Sequence, residues 1–223
     1  MSTRGSGVFA DAPGLKIVAL ESVHDFLDEK QDPNRLVPNL TFEKRKTIRM
    51  GSKRIELINA RGYHSDEGDL FIYLPDDRFL MAIDTLAPGY VPFMDFDLSS
   101  NFHRYLKVFD EILEYDFDVF VGGHLTHLGG RRDVELTKEY ALDVYRTTKR
   151  VHSETDLMKV MARTAEAAGG WDNKYLLFRA FLDEVIETSA REIERRWAGR
   201  LANVDVFVES HVRTALIYVR WDD

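Results

Sequence analysis

Four short apolar runs, KTIRM, KRIELINA, LFIYLP and FLMAID, fall between Lys46 and Asp84. Each has the length of a strand, and Ile, Leu, Phe and Tyr recur in them. MGSKR separates the first two and PDDR the last two, both tight-turn sequences, so the runs are predicted to pair as hairpins of one sheet. Next comes SSNFHRYLKVFDEILEY, with Phe102, Tyr105, Leu106, Phe109, Ile112 and Leu113 at helical spacing and Ser99 or Ser100 as the expected cap. DVFVGG follows as another buried strand and stops at a glycine pair just before His124. A strand, a helix and a further strand after a set of hairpins describe an α/β fold.

The flanks are of two kinds. Upstream, LKIVAL reads as a short buried strand, ESVHDFLDEK as a helix and QDPNRLVPNL as a turn-rich connection. After residue 132 the pattern is mainly helical: one helix, able to bend, from Asp133 to the stop at Gly169–Gly170, and a second over NKYLLFRAFLDEVIETSAREIERRWAG. The second is expected to bury Leu177, Phe178, Phe181, Leu182, Val185, Ile186 and Ile193. The tail VDVFVESHVRTALIYVRW is ambiguous between helix and strand, but its apolar residues at 204, 208, 212, 215 and 219 lean towards helix. The expected organisation is an α/β region over residues 10–132 with a helical extension, residues 133–223, packed on it.

Composition limits function. The chain has 223 residues, enough for one domain with a sizeable core or for two small ones, and a formal charge of -8. That charge disfavours nucleic acid and anionic membranes as partners, since both reward basic patches. With zero cysteines there are no disulfides, thiolate metal sites or cysteine nucleophiles, so any transition-metal site must use His, Asp and Glu. No segment reads as a signal peptide or a membrane span, and the expected location is cytoplasmic.

Of the seven histidines, His24, His103, His152 and His211 fall in predicted helices. The first three read as surface or half-buried side chains, and His211 as a core histidine with its hydrogen bonds satisfied. His64, Asp84 and His124 differ in kind, because each lies just beyond a predicted strand, where a rigid scaffold aims side chains at a shared point. Two imidazoles and a carboxylate are a reasonable donor set for a divalent metal. From spacing alone, ordinary polar residues at strand ends remain the competing reading.

GYHSDEGDLFIYLPDDRFLMAIDTLAPG followed by FDVFVGGHLTHLG resembles the carboxyl-terminal half of a metallo-β-lactamase-fold hydrolase. A histidine before a GDLxxYLP hairpin, an aspartate ending the next strand, and GGH after a further helix and strand match in order. The resemblance runs from about residue 15 onward. It implies part of an αββα sandwich with a carboxyl-terminal helical extension, in which His64 completes a first metal site, His124 a second, and Asp84 bridges them. It also implies divalent metal, zinc first with iron or manganese as alternatives, a small-molecule substrate, and hydrolysis by a metal-activated water with no protein nucleophile.

The same resemblance exposes a gap. The HxHxDH motif of that superfamily occurs nowhere in the sequence. RGSGVFADAPG matches the turn that would follow it, so the expectation is a chain that starts just past the motif. Two consequences are expected: too few ligands for two-metal hydrolysis by this chain alone, and a strand LKIVAL that has lost its sheet neighbours. An exposed edge or apolar patch would make the polypeptide a poor monomer and favour a homo-oligomer or another chain as partner. Three hypotheses stand: a metal-dependent hydrolase impaired by the missing ligands, a non-catalytic binding or assembly partner with the same fold, and an unrelated α/β domain in which the three residues are structural. Asp66, Glu67 and Asp69 either hold the His64 imidazole or cap a turn facing water. His127 is an alternate ligand, a substrate contact or a bystander, and Arg131 and Arg132 either meet an anionic substrate or face solvent. The helical extension either covers the cleft or forms a dimer face.

Overall fold

The structure, a computed structural model, describes residues 6–9, 12–65 and 68–222. Two compact units divide the chain, one of Met1–Pro88 with Ser99–Val134, the other of Gly89–Leu98 with Glu135–Asp223.

The first unit is built on a five-stranded sheet, β3 (Arg45–Met50), β4 (Lys53–Asn59), β5 (Leu70–Leu74), β6 (Phe79–Ala82) and β7 (Val119–Val121), in that spatial order. The hairpins form as the turn sequences dictate: β3, β4, β5 and β6 pair antiparallel, with Ile48 opposite Ile55 and Leu57 opposite Ile72. β7 joins β6 in parallel, Leu80 opposite Phe120. A parallel pair needs a crossover, and α3 (Phe102–Leu113) supplies it, burying Phe102, Tyr105, Val108, Phe109 and Ile112. Its cap is Asn101, whose side chain accepts from Arg104 N at 3.0 Å, and neither Ser99 nor Ser100. Ser99 is engaged elsewhere, donating to Tyr63 O.

Alternation sends Ile48, Ile55, Leu57, Leu70 and Ile72 to one face of this sheet. There they pack with Ala19, Leu20, Val23, Leu27 and Phe42. These come from β1 (Val18–Leu20), α1 (Glu21–Lys30) and β2 (Leu40–Phe42). The expectation that LKIVAL lacks a sheet neighbour is corrected here, because β1 pairs with β2 in parallel, Ala19 opposite Thr41. β2 is three residues long, too short to show an alternation in the sequence.

The second unit is helical, comprising α4 (Arg131–Glu154) beyond its first turn, α5 (Leu157–Ala168), α6 (Lys174–Trp197) and α7 (Val204–Asp222). The predicted helix over 133–168 is two helices. Asp156 leaves the helical conformation and its carboxylate accepts from Lys159 N at 3.0 Å, capping α5. The ambiguous tail is helix, and Val204, Val208, Val212, Ala215 and Val219 are all buried along it. Phe178 departs from the predicted buried face: it is 37% exposed, under the guanidinium of Arg220. Met94–Leu98, termed α2, is a left-handed turn in which Asp95, Phe96, Asp97 and Leu98 have φ between 53° and 59°. Among the described residues no helix is long and apolar enough to cross a membrane.

Candidate metal-binding site

Strand direction explains why residues far apart in sequence meet. β4 and β6 both run antiparallel to β5, and β7 runs parallel to β6, so β4, β6 and β7 all finish at one end of the sheet. His64 follows β4, Asp84 follows β6 and His124 follows β7. Asp84 is the hub. His124 Nε2 stands 2.5 Å from its Oδ1, and His64 Nδ1 stands 3.8 Å from its Oδ2. Each carboxylate oxygen therefore faces a different imidazole. The His64 and Asp84 side chains are roughly a quarter exposed, whereas that of His124 is 73% exposed.

Local chain geometry serves this meeting. Asp84 and His124 both take left-handed backbone, with φ of 60° and 57°. Asp84 N donates to Gly122 O at 3.1 Å, tying the two strand ends together. A Cβ on Gly122 would fall 1.7 Å from Leu86 O, so only glycine lets these backbones cross. The GG of DVFVGG is the visible sequence signal of that approach.

Asp69 is only 6% exposed and does not face water. Its carboxylate accepts from His64 N at 2.6 Å, Ser65 N at 3.0 Å and Ser65 Oγ at 3.1 Å. It therefore fixes the main chain that carries His64, and its Oδ1 lies 4.0 Å from His64 Nδ1, beyond hydrogen-bond reach of the imidazole. Asp66 and Glu67 lie outside the described residues. His127 is exposed three positions past His124. The Arg131 guanidinium is anchored within the fold, donating to Tyr115 O and Leu113 O, carbonyls at and just beyond the end of α3. Ser99 and Ser100, read as caps, instead brace the His64 segment, Ser99 Oγ donating to Tyr63 O at 2.5 Å and Ser100 N to His64 O at 3.2 Å.

The donors suit a divalent cation in kind but not yet in arrangement. Two atoms bonded to one tetrahedral zinc at about 2.0–2.1 Å lie roughly 3.3 Å apart. The 2.5 Å between His124 Nε2 and Asp84 Oδ1 is a hydrogen bond and not an edge of a coordination shell. Among the described residues no group of three or more His, Asp or Glu side chains is placed to hold a metal ion. The three residues converge without forming a finished metal centre.

No family model and no curated protein matches the chain. Solved structures do match. A metallo-β-lactamase from Pontibacter korlensis aligns with a TM-score of 0.51 and 16% identity, over 60% of this chain and 61% of that one. A metallo-β-lactamase family protein from Thermus thermophilus aligns with a TM-score of 0.49 and 16% identity, over 84% of this chain and 71% of that one. The chain spans about three fifths of the length of the first metallo-β-lactamases it matches. The Pontibacter alignment carries the fold: this chain has a partial metallo-β-lactamase fold with a carboxyl-terminal helical region.

Proposed function

We propose that this chain carries one side of a hydrolytic metal centre. His64, Asp84 and His124 serve as donors to a divalent cation, zinc foremost and iron or manganese otherwise, in a hydrolase of a small-molecule substrate. The observation that supports the reading is the convergence of two imidazoles on the two oxygens of one carboxylate at the end of three strands. The fold lends a reaction class and nothing narrower. A bound cation brings to such chemistry a water acidic enough to yield hydroxide near neutral pH. The chain's own contribution is placement: Asp69 holds the main chain of His64, and the Gly122 crossing holds Asp84 beside His124.

Three donors are too few for two ions, since a catalytic zinc takes about three protein ligands by itself. The proposed centre therefore draws on further donors. The rival reading, a non-catalytic binding or assembly partner with this fold, gains support from the His124–Asp84 hydrogen bond, which closes two donors on each other. Metal analysis and turnover separate the two. The protein is dialysed against zinc, then tested on a generic ester, a thioester, a lactone and a β-lactam. The hydrolase reading expects retained zinc that His64→Ala or His124→Ala releases, and hydrolysis that Asp84→Ala abolishes. Turnover equal in wild type and Asp84→Ala, or no retained metal, contradicts it.

A further inference from the structure

Asp84 holds a backbone conformation that a residue with a Cβ adopts at a cost, φ 60°. Such a residue turns the carbonyls beside it away from the regular ladder, and in a buried loop those carbonyls need new donors. Both neighbours have one, and both donors are tyrosine hydroxyls. Tyr63 Oη donates to Ile83 O, and Tyr105 Oη donates to Thr85 O at 2.5 Å. The tyrosines are 1% and 0% exposed and Thr85 is 0% exposed, so water does not substitute for either bond. Thr85 closes the turn by donating its own hydroxyl to Ala82 O at 2.6 Å.

The two clamps come from different parts of the first unit. Tyr105 stands in the first turn of α3, so its hydroxyl references Asp84 to the crossover helix. Tyr63 immediately precedes His64, so the segment that carries His64 also grips the residue before Asp84. The His64 segment is itself braced, its carbonyls accepting from Ser99 Oγ and Ser100 N. An aromatic ring alone would fill the same space, and only the hydroxyls reach the two carbonyls.

We infer that Tyr63 and Tyr105 are positioning residues whose hydroxyls clamp the backbone on both sides of Asp84 and so hold its carboxylate between His64 and His124. Their purpose rests on the function proposed above, but the clamp itself is testable without metal. Tyr63→Phe and Tyr105→Phe each remove one oxygen, and Tyr140→Phe, which removes the hydroxyl bonded to His211 in the helical unit, is the control. Amide hydrogen exchange of Asp84 and the ring signals of His64 and His124 are followed by NMR in the full chain. Each clamp variant is expected to speed Asp84 exchange at least tenfold and to shift the His124 ring signals. Tyr140→Phe is expected to leave both unchanged. Zinc affinity is expected to weaken by about 10–100-fold in the clamp variants, as when other groups that orient a ligand are removed.

Unchanged exchange at Asp84 in both clamp variants, or the same change in Tyr140→Phe, overturns the inference. Should the phenylalanine variants fail to fold, the wild-type protein still decides, because the phenolic protons of Tyr63 and Tyr105 must exchange slowly; free exchange of either contradicts the clamp. A wild type that binds no zinc defeats the proposed function and leaves the exchange result standing by itself.

Discussion

His211 and His124 each have a ring nitrogen at hydrogen-bond distance from an oxygen, and they sit at opposite extremes. His211, in the helical unit, is fully buried, with Nδ1 2.8 Å from Tyr140 Oη and Nε2 3.0 Å from Phe93 O. Since Phe93 O can only accept, Nε2 carries the proton and Nδ1 accepts from Tyr140. Phe96, from the left-handed turn, stacks on the ring at 4.3 Å between centroids. Burial lowers the pKa of His211 to about 4, against backbone hydrogen bonds to Phe93 and Pro92 that act the other way. His124, in the sheet unit, is mostly exposed, pairs with one carboxylate and sits on left-handed backbone. A histidine with both nitrogens used and no water is a post in the core, whereas one presented to solvent on left-handed chain contributes little to the core.

That contrast can be broken by substitution. The largest effect is expected from the glycine that allows the second geometry. Gly122→Ala drives a Cβ against Leu86 O and should cost about 3 kcal/mol or more, read from the denaturant midpoint. His211→Ala removes a packed ring and strands the Tyr140 hydroxyl, for a loss of about 3 kcal/mol. His124→Ala at its exposed site should change stability by no more than about 0.5 kcal/mol. Equal losses for the two histidines would erase the distinction.

Acid sharpens the same comparison. The unfolded chain protonates His211 near its ordinary value of 6.5, and the folded chain only near 4. The stability tied to neutral His211 is therefore full above pH 6.5, falls as pH drops towards 4, and levels below it, by about 3 kcal/mol in all. Melting temperatures across this window should show the fall, and His211→Gln should flatten it. The smallest effect has the opposite sign: Asp84→Gly or His124→Gly relieves left-handed strain and should raise stability by about 0.5–1 kcal/mol while removing a donor. A loss of stability in both glycine variants would show that the loops are held by these side chains and not strained to present them.

Much of this was legible because it is local or periodic. The hairpins announce themselves in MGSKR and PDDR, the crossover helix in the spacing of Phe102, Tyr105 and Phe109, and the three strand-end polar residues in their place after apolar runs. Partners distant in sequence were not legible. β2 exists because β1 needs a neighbour, and nothing in Leu40, Thr41 and Phe42 alone says so. Asn101 wins the cap because Ser99 is drawn to Tyr63 O. Tyr105 reads only as one apolar position of a helix and Tyr63 draws no reading, because a hydroxyl bond to a carbonyl about 20 residues away leaves no periodic trace. The four left-handed residues after Met94 include no glycine that would have marked them.

Whether His64, Asp84 and His124 act together on a cation is tested most directly by titrating the isotopically labelled protein with cobalt(II) and following every histidine ring by NMR. Paramagnetic broadening is expected to reach His64 and His124 together at low cobalt and to vanish in Asp84→Ala. Broadening that bypasses His64 and His124, or that persists undiminished in Asp84→Ala, would contradict a shared site.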